Sequence, residues 1–352
     1  MSATEKNQRK PAPARPPMRG LRWLALALML AGIALCAGAA FGWWARQPLR
    51  LNAERVEFSV PPGASLRAAA DAAVAGGVRE PDLLLGGFFR LAARSRTIKP
   101  GDYAVTKGMT PGDLLDKLIR GDRIVLTVRF IEGWTFKQAR DALDKAPGLR
   151  HDTAPFSGEQ IMAAIGRSGV APEGRFFPDT YHYFRYMSDL DILRQALHEM
   201  DQRLAAAWDA RAPDLPLKSP DDVLTLASLV EKETGQAQDR AQIAGVFINR
   251  LRVGMPLQTD PSVIYGMGER FTGNLRRADL QVDTPWNTYM RLGLPPTPIA
   301  LPGQASLLAA VQPAATRALY FVARGDGSSQ FSETLDAHNR AVNQYLRGGQ
   351  GR

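Results

Sequence analysis

A chain of 352 residues, 45% hydrophobic and 22% charged, has room for two or three domains and a substantial core, and its composition is not that of a disordered polymer. The single cysteine, Cys36, excludes a disulfide framework and a cysteine-built metal cluster. The four histidines (His151, His182, His198, His338) lack the spacing of a metal site such as H-E-x-x-H, so no metal is expected. The net charge of +9 is uneven, with five basic residues against Glu5 placing +4 in the first twenty positions; without interleaved aromatic and basic residues, nucleic acid is not expected as a partner.

Residues 1–20 are rich in proline, lysine and arginine and predict a disordered basic tail. Leu21–Trp44 follows, with Arg22 its only charge, and is long enough to cross a hydrocarbon core of about 30 Å as a helix. Trp23 at one end and Trp43-Trp44 at the other suit the two interfaces, and the basic tail favours a cytoplasmic N-terminus. A cleaved signal peptide is the rival, since Ala37-Gly38-Ala39 resembles a signal-peptidase site, although the apolar run is long for one. A buried core helix is the third reading, and the uniform apolarity and terminal position argue against it.

Residues 45–130 predict a small α+β module. Val56–Val60 alternates as a strand, Ser65 caps a helix through Ala75, and a second helix spans Pro81–Arg94. Gly101–Val105 is a strand, Thr110-Pro111 starts a helix with apolar face Leu114–Ile119, and Ile124–Phe130 is a closing strand. No catalytic constellation appears here.

Residues 131–352 form a mixed α/β region. Helices are expected over Phe136–Ala146, Ser157–Arg167 and Asp189–Arg203. Between them, Pro172–Tyr181 is an aromatic-rich loop, and Phe177 within it suits either core packing or the wall of a sugar site. Ser219-Pro220-Asp221-Asp222 opens an apolar helix that carries Glu231 and Glu233 at its end. A second amphipathic helix begins near Asp239, followed by a polar loop with Gln258, Thr259, Asp260 and Tyr265. The remainder is loop-rich until a hairpin (Leu319–Ala323, Gln330–Ser332) and a helix over Thr334–Leu346.

Carboxylates at the end of an apolar helix are costly unless paired or used, which marks Glu231 and Glu233 as the first place to seek chemistry; the bland alternative is a solvated turn. No G-x-S-x-G, Walker loop or dinucleotide fingerprint is present, and the census leaves no cysteine nucleophile. What remains is carboxylate chemistry, in which an acid with a raised pKa protonates a glycosidic oxygen. Hydrolysis adds a second carboxylate, for which Asp260, Glu269, Asp279 and Asp283 are available; transglycosylation needs only one. Helical projection does not choose between Glu231 and Glu233.

Several ordered blocks resemble the endolytic murein transglycosylases of the YceG-like (MltG) type: Leu226–Thr234, Val246–Leu251, Leu257–Gly266, Phe177–Tyr181, Asn287–Tyr289, Gly293–Pro296, Pro298–Ala300, Tyr320–Val322 and His338-Asn339. The resemblance implies an α+β protein with a single N-terminal transmembrane helix, a small LysM-like module and a mixed α/β catalytic domain. It implies an inner-membrane protein whose catalytic domain is periplasmic. It also implies cleavage of nascent peptidoglycan strands to leave a 1,6-anhydro-N-acetylmuramic acid end, without a cofactor, alongside peptidoglycan synthases. The family's acid falls on Glu233, and the surrounding blocks nominate Gln258, Thr259, Asp260, Tyr265, Phe177, Asp179 and Asn287 for substrate binding. A hydrolysing muramidase and a non-catalytic peptidoglycan-binding scaffold are the alternatives.

Overall fold

The computed structural model describes residues 18–93 and 96–347. The tail expected over residues 1–20 lies outside them up to position 17, whereas Met18–Gly20 already belong to the first helix. The chain forms two compact units that divide between Ile124 and Val125.

The first unit opens with helix α1 (Met18–Trp44), exposed along its apolar span and, among the described residues, the one helix long and apolar enough to cross a membrane. Strand β1 (Arg55–Val60), helices α2 (Leu66–Ala75) and α3 (Asp82–Ala92), strand β2 (Gly101–Thr106) and helix α4 (Pro111–Arg120) follow. β1 and β2 pair antiparallel, Val56 opposite Val105 and Phe58 opposite Tyr103. Alternation sends Val56, Phe58 and Val60 into the core with Leu85, Phe89 and Leu114, while Arg55 and Glu57 face out. The caps are those the sequence predicts: Ser65 accepts from the Ala68 amide, and Thr110 and Asp113 form a capping box with Pro111 in the first turn.

The second unit comprises β3 (Leu126–Arg129), α5 (Phe136–Asp144), α6 (Gly158–Ala164), β4 (Thr180–Tyr183), α7 (Asp189–Asp209), α8 (Pro220–Glu233), α9 (Ala237–Arg252), α10 (Asp260–Met267), α11 (Gln304–Val311), the hairpin β5 (Tyr320–Ala323) and β6 (Ser329–Ser332), and α12 (Leu335–Val342). One core gathers β3, β4, α5, α6 and the first half of α7; the other surrounds α8, with α9, α11 and the end of α7. The class is therefore mixed α+β, with two-stranded antiparallel sheets.

Four elements differ from the sequence reading. The strand expected to close the small module is β3, which pairs with β4 in the second unit, Val128 opposite Tyr181. β4 lies at the end of the expected aromatic loop, where Tyr181 and Tyr183 alternate inward with Thr180 and His182 outward. α10 replaces part of the polar loop, because Pro261 in its first turn favours a helix start. α11 is apolar on nearly every side, so it carries no amphipathic period to detect.

Candidate active site

Helix α8 is the centre of the second unit. Ser219 caps it by accepting from the Asp222 amide, Pro220 occupies the first turn, and all eight residues from Val223 to Val230 are buried. A helix enclosed on every side can meet solvent only at its ends. Its last turn carries Glu231, Lys232 and Glu233 before Thr234 leaves helical geometry. At about 100° per residue, Glu231 and Glu233 project to nearly opposite sides.

Glu231 turns toward α11. Its Oε2 accepts from the Gly303 amide at 3.0 Å and from Ser306 Oγ at 2.7 Å, and Arg240 Nη2 lies 3.9 Å from Oε1. Gly303 is the N-cap of α11 and offers no side chain, so the Glu231 carboxylate supplies the cap from another helix. Lys232 donates to the Gly133 carbonyl at 3.2 Å.

Glu233 turns the other way, into a cavity of about 330 Å³ that it shares with Arg250, Gln258, Asp260, Tyr289, Tyr320, Phe321, Leu335 and His338. Its protein donor is the Thr259 hydroxyl, which bonds Oε1. Loss of solvation pushes the carboxyl up to about 7; Asp260 adds to the rise, while the Thr259 hydroxyl and the Arg250 cation oppose it. Glu233 thus holds a proton near neutrality while its cavity stays open.

The cavity wall is held in place by hydrogen bonds among its own residues and their neighbours. Gln258 has φ of +50°, a left-handed backbone rare outside glycine, and its amide donates to the Thr288 carbonyl at 3.1 Å. The next amide, Thr259, donates to Thr288 Oγ1 at 3.0 Å, and Tyr289 donates its hydroxyl to Asp260 Oδ1 at 2.6 Å. Thr288 and Tyr289 therefore hold Gln258–Asp260 in register beneath Glu233. Burial and the neighbouring Asp260 carboxylate raise the Tyr289 phenol, keeping it a donor. From α9, buried Arg250 donates to the carbonyls of Leu319 and Leu257, each at 2.7 Å, and its guanidinium lies 5.5 Å from the Tyr320 ring centre. It ties β5 to the loop before α10 and sets a cation near the acid.

The structure separates the remaining nominated residues from this cavity. Phe177 lies in the core, 6% exposed, with the Arg203 guanidinium over its ring, so it forms no sugar wall. Asn287 is fully buried and spends its amide on the carbonyls of Leu280 and Val282, shaping the loop that presents Thr288. Asp179 is exposed and caps the Thr180 amide at the start of β4. Tyr265 points inward and donates to Glu173 Oε2 at 3.1 Å. Each is held by local hydrogen bonding or packing that the sequence pattern does not reveal.

Glu173 is a second acid raised by loss of solvation. It accepts from the Phe136 amide at 2.9 Å at the start of α5, and burial pushes it up to about 7. It does not line the Glu233 cavity. Arg250 carries a detectable signal, a lone charge in the apolar run Val246–Leu251; Tyr320 and His338 lie in blocks that carry the family resemblance, but only folding brings them to α8. Among the described residues no cluster of three metal-ligating side chains occurs.

Residues 58–344 match the pattern of the YceG-like family. The chain belongs to that family. An endolytic murein transglycosylase of Bacillus subtilis is 29% identical over 308 residues, covering 83% of this chain and 85% of the relative. One of Streptococcus pneumoniae is 25% identical over 352 residues, covering 89% of this chain, which spans only 63% of that relative. The crystal structure of a yceG-like protein from Listeria monocytogenes, 29% identical, superposes with a TM-score of 0.53 over 82% of this chain and 98% of its own. The YceG-like match includes the whole of α8 and every residue lining the cavity.

Proposed function

We propose that this YceG-like chain is an endolytic peptidoglycan lytic transglycosylase in which Glu233 is acid and then base. The observation that carries the reading is a partly solvated carboxyl held near pKa 7 by loss of solvation, at the wall of an open polar cavity. The relatives named endolytic murein transglycosylase supply the substrate class, a glycan of alternating N-acetylmuramic acid and N-acetylglucosamine.

Protonated Glu233 gives its proton to the glycosidic oxygen as the bond from the muramic C1 breaks. The electron pair leaves with that oxygen, which becomes the hydroxyl of the departing glucosamine. The muramic 6-hydroxyl then attacks C1, and the Glu233 carboxylate takes the hydroxyl proton. A 1,6-anhydro ring forms, no water is consumed, and Glu233 is protonated again. The Thr259 hydroxyl stabilises the carboxylate midway through the cycle, and the nearby Arg250 cation acts in the same direction. Gln258 and Asp260, on the cavity wall, are placed to orient sugar hydroxyls.

Asp260 also keeps a hydrolysing muramidase as the second reading, because it puts another carboxylate in the same cavity. Digestion in 18O-labelled water separates the two. The transglycosylase releases unlabelled anhydro ends, whereas a hydrolase releases labelled reducing ends one water heavier.

The finer assignments rest on the first unit. α1 serves as a single-pass anchor with a cytoplasmic N-terminus, and the module beyond it, with the catalytic unit, faces the periplasm from the inner membrane. The order β1-α2-α3-β2, with antiparallel β1 and β2, supports the LysM-like reading and a role in holding glycan. Cleavage close to the membrane would end elongation of nascent strands, beside the synthases that extend them. Cell fractionation with carbonate extraction tests the anchor, and release of the intact chain into the soluble fraction would contradict it.

A further inference from the structure

Helix α3 reads Asp-Leu-Leu-Leu-Gly-Gly-Phe-Phe-Arg-Leu-Ala and is apolar on both faces. Its inner side, Leu85, Gly86 and Phe89, fills the core of the first unit. At about 100° per residue, Leu83, Gly87, Leu91, Leu84 and Phe88 form one continuous outward arc, bordered by Arg90. Leu83 is 69% exposed and Leu91 72%. Apart from α1, these two are the only exposed large hydrophobic side chains among the described residues of this unit. A helix facing water on that side would carry polar residues there.

The arc is continuous with the end of the apolar span. Phe88 packs against Phe41 and Trp44 of α1, ring centres 6.2 and 6.1 Å apart. The Trp44 indole donates to buried Glu80 at 2.9 Å, and Glu80 also accepts from the Arg50 amide and guanidinium. This fixes the first residues after α1 to the residues before α3. Leu83 and Leu91 lie within about 8 Å of Phe88 along the helix axis. Trp43, 67% exposed, stands on the same last turn of α1. The charges at the border suit headgroups: Arg46, Arg79 and Arg90 are exposed, with Asp82 the acidic exception.

We infer that the outward face of α3 beds in the bilayer surface at the depth where α1 leaves it, so that the first unit is held against the membrane by a second, interfacial contact. This rests on the reading of α1 as a membrane anchor. The lipid-facing arc is short and apolar with a basic border, the pattern of an interfacial helix rather than a second span.

The test uses the full chain in vesicles of phosphatidylethanolamine and phosphatidylglycerol, with a polarity-sensitive fluorophore on one cysteine at a time. Native Cys36, in α1, reports the anchor itself. In a Cys36→Ala background, Leu83→Cys and Leu91→Cys report α3, and Glu57→Cys reports the sheet face turned away from the core. We expect labels at 83 and 91 to be blue-shifted, quenched by nitroxide lipids about as strongly as the label at 36, and shielded from aqueous iodide. The label at 57 stays iodide-accessible. If the label at 36 escapes lipid quenching, the anchor reading fails and the inference with it. If 36 is quenched while 83 and 91 remain open to iodide, the anchor stands and the α3 contact is overturned. Shielding from iodide without lipid quenching would mean that protein covers the face, and equal quenching at 57 would mean non-specific adsorption; either also overturns it.

Discussion

The last turn of α8 delivers two carboxylates into opposite settings. On one side Glu231 meets an amide, a hydroxyl and a guanidinium, and its charge caps α11. On the other, Glu233 meets one hydroxyl and a cavity, and keeps its proton to about pH 7. Residue type and helix position are nearly the same for both; the number of donors waiting at the end of the side chain is not. An acid supplied with donors keeps its charge as structure, and an acid starved of them keeps its proton.

Removing the acid function from Glu233 should have the largest effect. Glu233→Gln is expected to lower glycan cleavage by about 10²–10⁴-fold, the usual contribution of a positioned acid. The same change should stabilise the fold at pH 8. With a native pKa of about 7 against an ordinary value of 4.5, the folded state binds more protons across that window. Stability therefore falls as pH rises through it and stays lower above it, a penalty the neutral amide removes. A gain on the order of 1 kcal/mol in urea unfolding, discounted for the open cavity, would agree.

Glu231→Ala should show the reverse pattern. Losing the cap of α11 and leaving Arg240 without its carboxylate is expected to cost about 2–3 kcal/mol in the urea midpoint, while cleavage per folded molecule persists. Glu173→Ala sharpens the contrast from a third position. It strips partners from the Phe136 amide and the Tyr265 hydroxyl and should cost about 1–3 kcal/mol, whereas Glu173→Gln, which keeps an acceptor, should cost much less.

The smallest effect is a shift in pH dependence. Cleavage by the unaltered chain should decline above about pH 7 as Glu233 loses its proton. Thr259→Val removes the donor that favours the carboxylate, so the alkaline limb should move upward, by on the order of one pH unit for one hydroxyl donating to a carboxylate. A downward shift would mean that Thr259 acts otherwise than through Glu233.

Capping and alternation made much of the fold legible: Ser65, Thr110 and Ser219 each cap the helix that follows them. The strands Arg55–Val60 and Gly101–Thr106 follow the same local logic. What escaped depended on distant partners. The inward pair Tyr181 and Tyr183 becomes a strand only because Leu126–Arg129 lies beside it. α11 is hidden because its exposed stripe, Ala305 and Leu308, is as apolar as its buried side. In the site, a costly charge was visible, which pointed to both glutamates. Their separation into cap and acid depends on Ser306 and Thr259, 75 and 26 residues away from their respective partners. Asn287 and Phe177 sat in the expected blocks yet support the wall or core from behind, a distinction made by side-chain direction alone.

The most direct test is the pair Glu231→Gln and Glu233→Gln, assayed side by side on the same glycan strands with rates normalised to folded protein. Near-native release of anhydro ends by the first and loss of release by the second is the predicted result. Loss in Glu231→Gln with release preserved in Glu233→Gln would contradict the assignment of cap and acid.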